Sequence, residues 1–359
     1  MSQQIRPVGG VSNMLDHNPA SLGGWITEAG ESSFRAEEIL RWAVARRAQR
    51  FDDMTSLPSE LRRRLGVSFR IRSSTLEARS EAADGTLKIL LRWRDGATTE
   101  SVMIPAPGRS RRRTVCLSTQ VGCDVGCRFC ASGLGGSLRN LSSGEILEQA
   151  LVIGDILAER EERPSHVVFM GMGEPLANYD ATVRAIRSLN APWGFGIGQR
   201  RITVSTVGLP KQIERLATEG LQVTLALSLH APNDALRRQL IPWAEGISLR
   251  RLLEACLSYL NRTGREITLE YCLLAGINDE EEHALQLARI ARQIHSHVNL
   301  LMYNPVEGLP YERPSRNRAI RFLKSLRSRG IGAHLRESRG LENTAACGQL
   351  RRVADGTAR

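Results

Sequence analysis

Beyond Arg109 the chain alternates between short apolar runs that favour β-strands and longer amphipathic runs that favour α-helices. The apolar runs are TVCLS, HVVFM, RITVS, VTLALSL, ITLEYCLL, VNLLMY and IGAHL, with helical stretches such as GEILEQALVIGDILAER and EEEHALQLARIARQI between them. Strands that alternate with helices in this way form parallel β/α units. Six or seven such units predict an α/β fold, with a barrel or partial (β/α) barrel rather than an open sheet.

The segment before this alternation has a different pattern. Residues 33–65 are apolar at helical spacing, and the first stripe consists of Phe34, Ile39, Leu40 and Val44. Residues 86–105 hold two apolar runs joined by Asp95-Gly96, a pair typical of a two-residue hairpin turn. The predicted units are a basic helical domain over residues 1–80, a β-hairpin and linker over 81–108, the barrel domain over 109–350 and a C-terminal tail over 351–359.

The composition is that of a globular protein with a basic surface. Hydrophobic residues make up 42% of the 359 positions, which is enough to fill a sizeable core. Lys and Arg number 49 against 38 Asp and Glu, and arginine runs lie at 62–64 and 111–113. The planar guanidinium suits phosphate, so a nucleic acid partner is one interpretation of this charge and a solvated basic surface is the other.

The start of the chain, MSQQIRPVGGVSNML, has no apolar segment behind a basic one, and no run of about 18 apolar residues occurs. We therefore expect a cytoplasmic protein that does not enter a membrane. Seven cysteines without a secretion signal indicate metal or redox chemistry rather than a disulfide framework.

Three cysteines, Cys123, Cys127 and Cys130, stand in CDVGCRFC with the spacing Cys-x3-Cys-x2-Cys. Structural zinc usually takes four protein ligands, and a redox Cys-x-x-Cys pair would leave Cys123 without a role. A [4Fe-4S] cluster on three thiolates leaves one iron open, which can bind S-adenosylmethionine (SAM) through its amine and carboxylate. The spacing, with GMGEP after the next strand, therefore indicates cleavage of SAM to a carbon radical.

Polar or glycine-rich motifs stand at the C-terminal ends of several predicted strands. GMGEP follows residues 166–170, Ser205 ends RITVS, SLH ends VTLALSLH, and Asn304 follows VNLLMY. Active sites of β/α barrels are built at this edge of the strands. These residues are predicted to converge on one site.

The motifs together resemble the RlmN/Cfr family of radical SAM adenosine methyltransferases, which act on 23S ribosomal RNA. The likeness runs from about Phe34 to Leu350, through FRAEEILRW, DGTLKIL, ESVMIP, CLSTQVGCDVGCRFCA, GMGEPLAN, VSTVGLP, SLHAPND, GIND, NP and AACGQL. The RlmN branch is favoured, because the Cfr branch tends to have Ala where Pro175 stands. The resemblance implies methylation of adenine at carbon 2 in the peptidyl-transferase region and in certain tRNA anticodon stem-loops. Methylation at carbon 8, as in Cfr, is the alternative.

The resemblance also implies a mechanism through S-methylcysteine. One SAM methylates Cys347, and a second SAM, chelated to a [4Fe-4S] cluster on Cys123, Cys127 and Cys130, gives the radical that takes hydrogen from this methyl group. The methylene radical adds to carbon 2, which is too electron-poor to attack SAM as a nucleophile. Cys116 then attacks the sulfur of Cys347, which releases the product and leaves a transient disulfide. Cys116 and Cys347 are therefore expected to be neighbours in space.

The same resemblance assigns further site residues. Gly173 and Glu174 are expected to hold the amino group of SAM, and Glu100 matches the family's proton acceptor. The other expected contacts with SAM are Ser205, Ser228, Leu229, His230 and Asn304. By sequence alone, Glu100 is equally an exposed hairpin carboxylate and His230 equally a structural histidine. Cys256 and Cys272 fall on apolar faces and are expected in the core.

The implied partners are 23S rRNA and tRNA, with an electron donor such as flavodoxin or ferredoxin, and the protein is expected to be a monomer. The chain departs from the family in GLENTAACGQL, where an acidic GDDIDAACGQL-like run is usual, and this bears on the ordering of the loop at Cys347. A zinc-containing RNA-binding protein would explain the charge but not Cys347 or GMGEP. A radical SAM enzyme acting on another substrate would not explain the basic N-terminal domain or the pair of cysteines.

Overall fold

The computed structural model describes residues 11–108 and 110–351. The first ten residues, Arg109 and residues 352–359 lie outside the described residues. They include the start of the predicted N-terminal domain, the first residue of the predicted barrel domain and almost all of the predicted tail.

The described residues form a mixed α/β structure. Their α-helices are α1 (Pro19–Glu28), α2 (Arg35–Ala43), α3 (Ser59–Ser68), α4 (Ser143–Ala158), α5 (Tyr179–Asn190), α6 (Pro210–Leu216), α7 (Asp234–Leu240), α8 (Leu249–Thr263), α9 (Glu281–Gln293) and α10 (Arg316–Ser328). Their β-strands are β1 (Ser12–Asn13), β2 (Phe69–Arg70), β3 (Ser74–Glu81), β4 (Leu87–Trp93), β5 (Thr98–Pro105), β6 (Arg113–Cys116), β7 (Gln120–Gly122), β8 (Ser137–Asn140), β9 (His166–Phe169), β10 (Ile202–Thr206), β11 (Thr224–Ser228), β12 (Ile267–Leu273), β13 (His297–Met302) and β14 (Ala333–Arg336).

One sheet of ten strands organises the molecule, in the order β14-β13-β12-β11-β10-β9-β6-β5-β4-β3. The strands from β6 to β14 in this sheet pair in parallel, which confirms the predicted fold class. The predicted hairpin, β4 and β5, joins the same sheet because β5 pairs antiparallel with β6. β14 and β3 are opposite edges, so the barrel is partial. The proposed division into domains stays a prediction.

The N-terminal helices share one hydrophobic core with the barrel. The segment between β2 and β3, which follows these helices, has a polar contact with α4, in which the fully buried carboxylate of Glu148 accepts the backbone N–H groups of Ser73 and Ser74 at 2.8 to 2.9 Å. Ile39 is buried as predicted, but Phe34 is 67% exposed, because α2 begins only at Arg35 and the helical period does not extend to Phe34.

A loop after β14 returns to the opposite edge of the sheet. Its Asn343 Nδ2 donates to the carbonyl oxygens of Ser80 and Thr86, at the turn between β3 and β4. The backbone N–H of Gly340 donates to Asp84 in the same turn. The loop over residues 337–351 thus spans the opening that the strands leave. Within 11–108 and 110–351, no helix has the length and apolar character needed to cross a membrane.

Candidate active site

A cavity of about 260 Å³ lies at the C-terminal edge of the parallel strands. The predicted site residues that line it are Cys116, Cys123, Cys127, Cys130, Gly173, Glu174, Ser205, Ser228, His230, Asn304 and Cys347. Leu229 and Glu100 do not line it, since the Leu229 side chain is fully buried in the hydrophobic core and Glu100 faces the C-terminal segment. The convergence expected from the strand ends is therefore present for most of these residues.

The three-cysteine loop, residues 123–130, follows β7, and Gly122 determines the direction in which it leaves the strand. Gly122 has a φ of +89°, and a Cβ atom there would lie 2.0 Å from the carbonyl oxygen of Gly136. The backbone N–H of Cys123 donates to this same oxygen at 3.2 Å. Asp124 accepts the backbone N–H of Ser137 at 2.7 Å, which fastens the loop to β8.

The three thiols suit a cluster of several irons. Burial raises the pKa of Cys123 to about 12 and also raises the pKa of Cys127 and of Cys130, so all three are neutral until a metal displaces their protons. Among the described side chains, no three His, Cys, Asp or Glu groups converge as the ligands of a single metal ion do. In a [4Fe-4S] cluster each thiolate binds a different iron, so such convergence is not required. The donor set fits this cluster.

Gly173 and Glu174 follow β9 at the cavity wall. Gly173 has a φ of +99°, and a Cβ atom there would lie 2.6 Å from the side chain of Gln120. The Glu174 carboxylate accepts the backbone N–H groups of Leu176 and Val207, each at 2.9 Å. Burial raises the pKa of Glu174 to about 7, so a bound ammonium group would favour its charged form. This carboxylate fits the amino group of SAM.

Three further polar residues complete the wall. The hydroxyl oxygens of Ser205 and Ser228 lie 3.0 Å apart, at the ends of β10 and β11. The Asn304 side chain accepts the Ser338 hydroxyl at 2.7 Å and donates to the carbonyl oxygen of Cys347 at 3.1 Å. Asn304 therefore positions the loop that carries Cys347 as well as lining the cavity.

His230 has a structural partner in addition to its place in the cavity. Its Nδ1 accepts the backbone N–H of Cys272 at 3.0 Å, so the ring proton lies on Nε2. Burial and the nearby guanidinium of Arg237 lower the pKa of His230 to about 3, so the ring is neutral. Cys256 and Cys272 are buried as expected, and Cys272 also lines the cavity.

Cys116 and Cys347 meet at the cavity although they are distant in sequence. Cys116 ends β6 and is 7% exposed, and burial raises its pKa to about 12. Cys347 is exposed and lies within electrostatic range of Cys116. The loop that bears Cys347 contacts the three-cysteine loop directly, since the Ser132 hydroxyl donates to the Leu350 carbonyl oxygen at 2.6 Å.

Glu100 is not an exposed hairpin carboxylate. It is 5% exposed, forms an ion pair with Lys88 at 2.9 Å and accepts the backbone N–H of Arg351 at 2.9 Å. Its role as proton acceptor stays a prediction. The arginines of the run at 111–113 lie at the N-terminal end of β6, opposite the cavity, and Arg113 forms an ion pair with Glu162.

Sequence reasoning missed Glu270, which lines the cavity and is 7% exposed. It accepts the Asn299 amide at 2.8 Å, and burial raises its pKa. The signal was available, because a single acid inside the apolar strand ITLEYCLL points to a polar role in the interior. Ser132 and Asn343, which position the Cys347 loop, carried no such signal.

Comparison with known proteins gives consistent matches. The model of the radical SAM superfamily matches residues 117–288, and the ribosomal RNA large subunit methyltransferase N-terminal domain matches residues 12–71. A probable dual-specificity RNA methyltransferase RlmN of Thermosynechococcus vestitus is 47% identical over 340 residues, covering 95% of this chain and 98% of that protein. Its counterpart in Gloeobacter violaceus is 48% identical, covering 94% and 95%. A crystal structure of a radical SAM methyltransferase from Sphaerobacter thermophilus matches with a TM-score of 0.91 and 43% identity, covering 95% of this chain and 99% of that one.

Proposed function

Because the chain belongs to the RlmN family of radical SAM enzymes, we propose that it methylates carbon 2 of adenosine in 23S ribosomal RNA and in transfer RNA. The observation that carries the proposal is that Cys116 and Cys347 line the same cavity as the three-cysteine loop. The relatives named above are called dual-specificity RNA methyltransferases, which supports two classes of RNA substrate. Carbon 2 of adenine lies between two ring nitrogens, so its methylation needs a carrier and a radical rather than a direct transfer from SAM.

The cavity residues form two groups, one that would bind the cluster and one that would bind SAM. Cys123, Cys127 and Cys130 would ligate the [4Fe-4S] cluster, and the polar wall that includes Gly173 and Glu174 would surround SAM. When bound, the cluster and SAM supply a carbon radical that removes hydrogen from an S-methyl group. Most of the other side chains that line the cavity are apolar, which excludes water from a reactive radical.

Cys347 and Cys116 have complementary tasks in this proposal. Cys347 lines the cavity on its loop, so its sulfur can take up a methyl group from a molecule bound there and present it to the base. Cys116 is held at the end of β6 beside it, and its sulfur attacks the sulfur of Cys347. A sulfur–sulfur bond forms as the sulfur–carbon bond to the substrate breaks, and the carbon keeps the electron pair and gains a proton. Burial keeps Cys116 protonated until this step.

The proposal extends to partners and location. Reduction of the cluster calls for a one-electron donor, and a flavodoxin or ferredoxin supplies electrons of this kind. We propose that the enzyme works as a monomer in the cytoplasm, where its RNA substrates are found.

The test is covalent trapping of RNA. Purified Cys116→Ala protein with a reconstituted cluster, SAM, a reductant and a substrate RNA fragment should form an adduct that shifts on a denaturing gel and is removed by ribonuclease. Without Cys116, the bond between Cys347 and carbon 2 has no attacking thiol to break it. Cys347→Ala and the double variant should give no adduct.

Cys256→Ala is the matched control, since Cys256 is buried in α8 and does not line the cavity. It should turn over without an adduct. Free turnover by Cys116→Ala, or an adduct without Cys347, would contradict the proposed roles. Mass analysis of the methylated nucleoside separates carbon 2 from carbon 8.

A further inference from the structure

Arg237, on α7, is a buried cation with too few partners. Its side chain is 1% exposed, and its Nη2 donates to the carbonyl oxygen of Val207. Its Nε and Nη1 are buried without a hydrogen-bond partner, and no carboxylate of the described residues forms an ion pair with it. The neighbouring Arg238 on the same helix is exposed. The two arginines therefore differ in environment although they are adjacent in sequence.

An unpaired buried guanidinium is costly. Each buried donor without an acceptor has lost its hydrogen bonds to water without replacement, and an arginine does not escape this cost by losing its proton at neutral pH. Burial lowers the pKa of Arg237, in keeping with this cost. Native proteins rarely retain such a group unless a partner is present in the functional state.

The three-cysteine loop lies against α7. The backbone N–H of Arg128 donates to the carbonyl oxygen of Leu240 at 3.0 Å, and Phe129 packs in the same hydrophobic cluster as Leu240. A charged Cys127 would raise the pKa of Arg237, so the two groups lie within electrostatic range of each other. Cys127 lines the cavity, whereas Arg237 does not.

We propose that Arg237 is the hydrogen-bond donor and counter-charge for the iron-bound thiolate of Cys127, a role that rests on the cluster ligation in the proposed function. A thiolate on iron is a stronger acceptor than a neutral thiol, so a bound cluster would offer the unused N–H groups a charged partner. Positive charge and hydrogen bonds at a ligand sulfur favour the reduced cluster, which carries one more negative charge. Arg237 therefore makes the cluster easier to reduce.

The experiment is a reductive titration of the anaerobically reconstituted full-length protein, followed by electron paramagnetic resonance without SAM or RNA. At the potential where half of the wild-type cluster is reduced, the ratio of reduced to oxidised cluster should fall about tenfold in Arg237→Gln. Arg237→Lys keeps the charge but loses the planar set of N–H donors, so its ratio of reduced to oxidised cluster should fall less than that of Arg237→Gln. Arg238→Gln removes the same charge from the exposed neighbour and should match the wild type.

The outcomes separate this proposal from the one it rests on. A ratio in Arg237→Gln equal to that in Arg238→Gln would overturn the role of Arg237. Loss of iron from both the glutamine and the lysine variants would overturn it as well, since Arg237 would then only shape the loop. A wild-type protein that binds no iron–sulfur cluster would instead contradict the proposed function.

Discussion

The backbone of His230 takes part in a turn that stabilises the fold, and its side chain lines the cavity. Its φ of +54° lies in the left-handed region, where Asn, Asp and His are the residues most often found besides Gly. The turn that requires this angle is held by the Asn278 amide, which donates to the His230 carbonyl oxygen at 2.8 Å. The ring is packed edge-on against Phe129 in the three-cysteine loop. One residue thus connects the end of β11, β12 and this loop.

His230→Asn should flatten the dependence of stability on pH. Asn tolerates the left-handed angle, and its Oδ1 can accept the Cys272 N–H in place of Nδ1. The folded state of the wild type depresses the pKa of His230 to about 3, so this stabilisation is present above the unfolded pKa of about 6.5 and is lost as pH falls. Between pH 7 and pH 5 the iron-free wild type should lose about 2 kcal/mol more unfolding free energy than the variant.

Urea unfolding of both iron-free proteins at the two pH values measures this difference. His334→Asn, at an exposed position on β14, is the control and should keep the wild-type dependence. Equal losses in the wild type and in His230→Asn would show that the His230 ring is not buried as a neutral group.

At the scale of elements, prediction succeeded where burial imposes a period. The seven predicted strands correspond to β6 and β9 to β14, because strands covered on both faces are apolar throughout. β3 was missed because it is an exposed edge strand with no alternation of apolar residues. α1 was missed although Asn18 and Pro19 form a recognisable helix start, since Gly23 and Gly24 weaken the helical pattern inside it.

The candidate site likewise contains some residues that the sequence predicts and some contacts that it does not. Cysteine spacing and strand ends give the cavity residues, because these signals are local in sequence. The contacts between the Cys347 loop and the β3–β4 turn join distant segments through hydrogen bonds, for which no sequence period exists. The partnership of Arg237 with the three-cysteine loop is of this second kind.

Asn343→Ala should loosen the Cys347 loop without unfolding the barrel. The change removes both hydrogen bonds to the β3–β4 turn, each contributing about 1 kcal/mol. Amide hydrogens of residues 340–350 should exchange roughly thirtyfold faster, while those of β9 to β13 stay unchanged. Hydrogen exchange with mass spectrometry measures this, with the exposed Asn317→Ala as control. Unchanged exchange in the loop would mean that its other contacts are sufficient.

At the scale of the molecule, the N-terminal helices and the barrel behave as one body because they share a core and a buried polar joint. Glu148 is that joint, since its carboxylate also accepts the hydroxyl groups of Ser73 and Ser74 at 2.6 and 2.7 Å. Its side chain has no exposure to solvent. This carboxylate therefore contributes, together with the shared core, to the placement of the basic helices relative to the cavity.

Glu148→Ala should weaken the contact between the N-terminal segment and the barrel. Loss of a buried carboxylate that leaves several donors unsatisfied should lower the unfolding free energy by about 3 kcal/mol. Urea unfolding should then show an earlier transition, with proteolytic cleavage near residue 73. Glu159→Ala, at the exposed end of α4, should change neither measurement. A single unshifted transition in Glu148→Ala would contradict the role of the joint.

The loop that carries Cys347 is held in part by hydrogen bonds of its own peptide groups. The contacts that do so are Asp84 to Gly340 N, Asn304 to Cys347 O, Ala131 N to Gly348 O, Ser132 to Leu350 O, and Glu100 to Arg351 N. Peptide groups are common to all amino acids, so these contacts would survive a change of side chain in the loop. The contacts of Asn343 would not, because its side chain makes them. The position of the reactive sulfur therefore depends on backbone contacts close to Cys347 and on one side chain of GLENT farther from it.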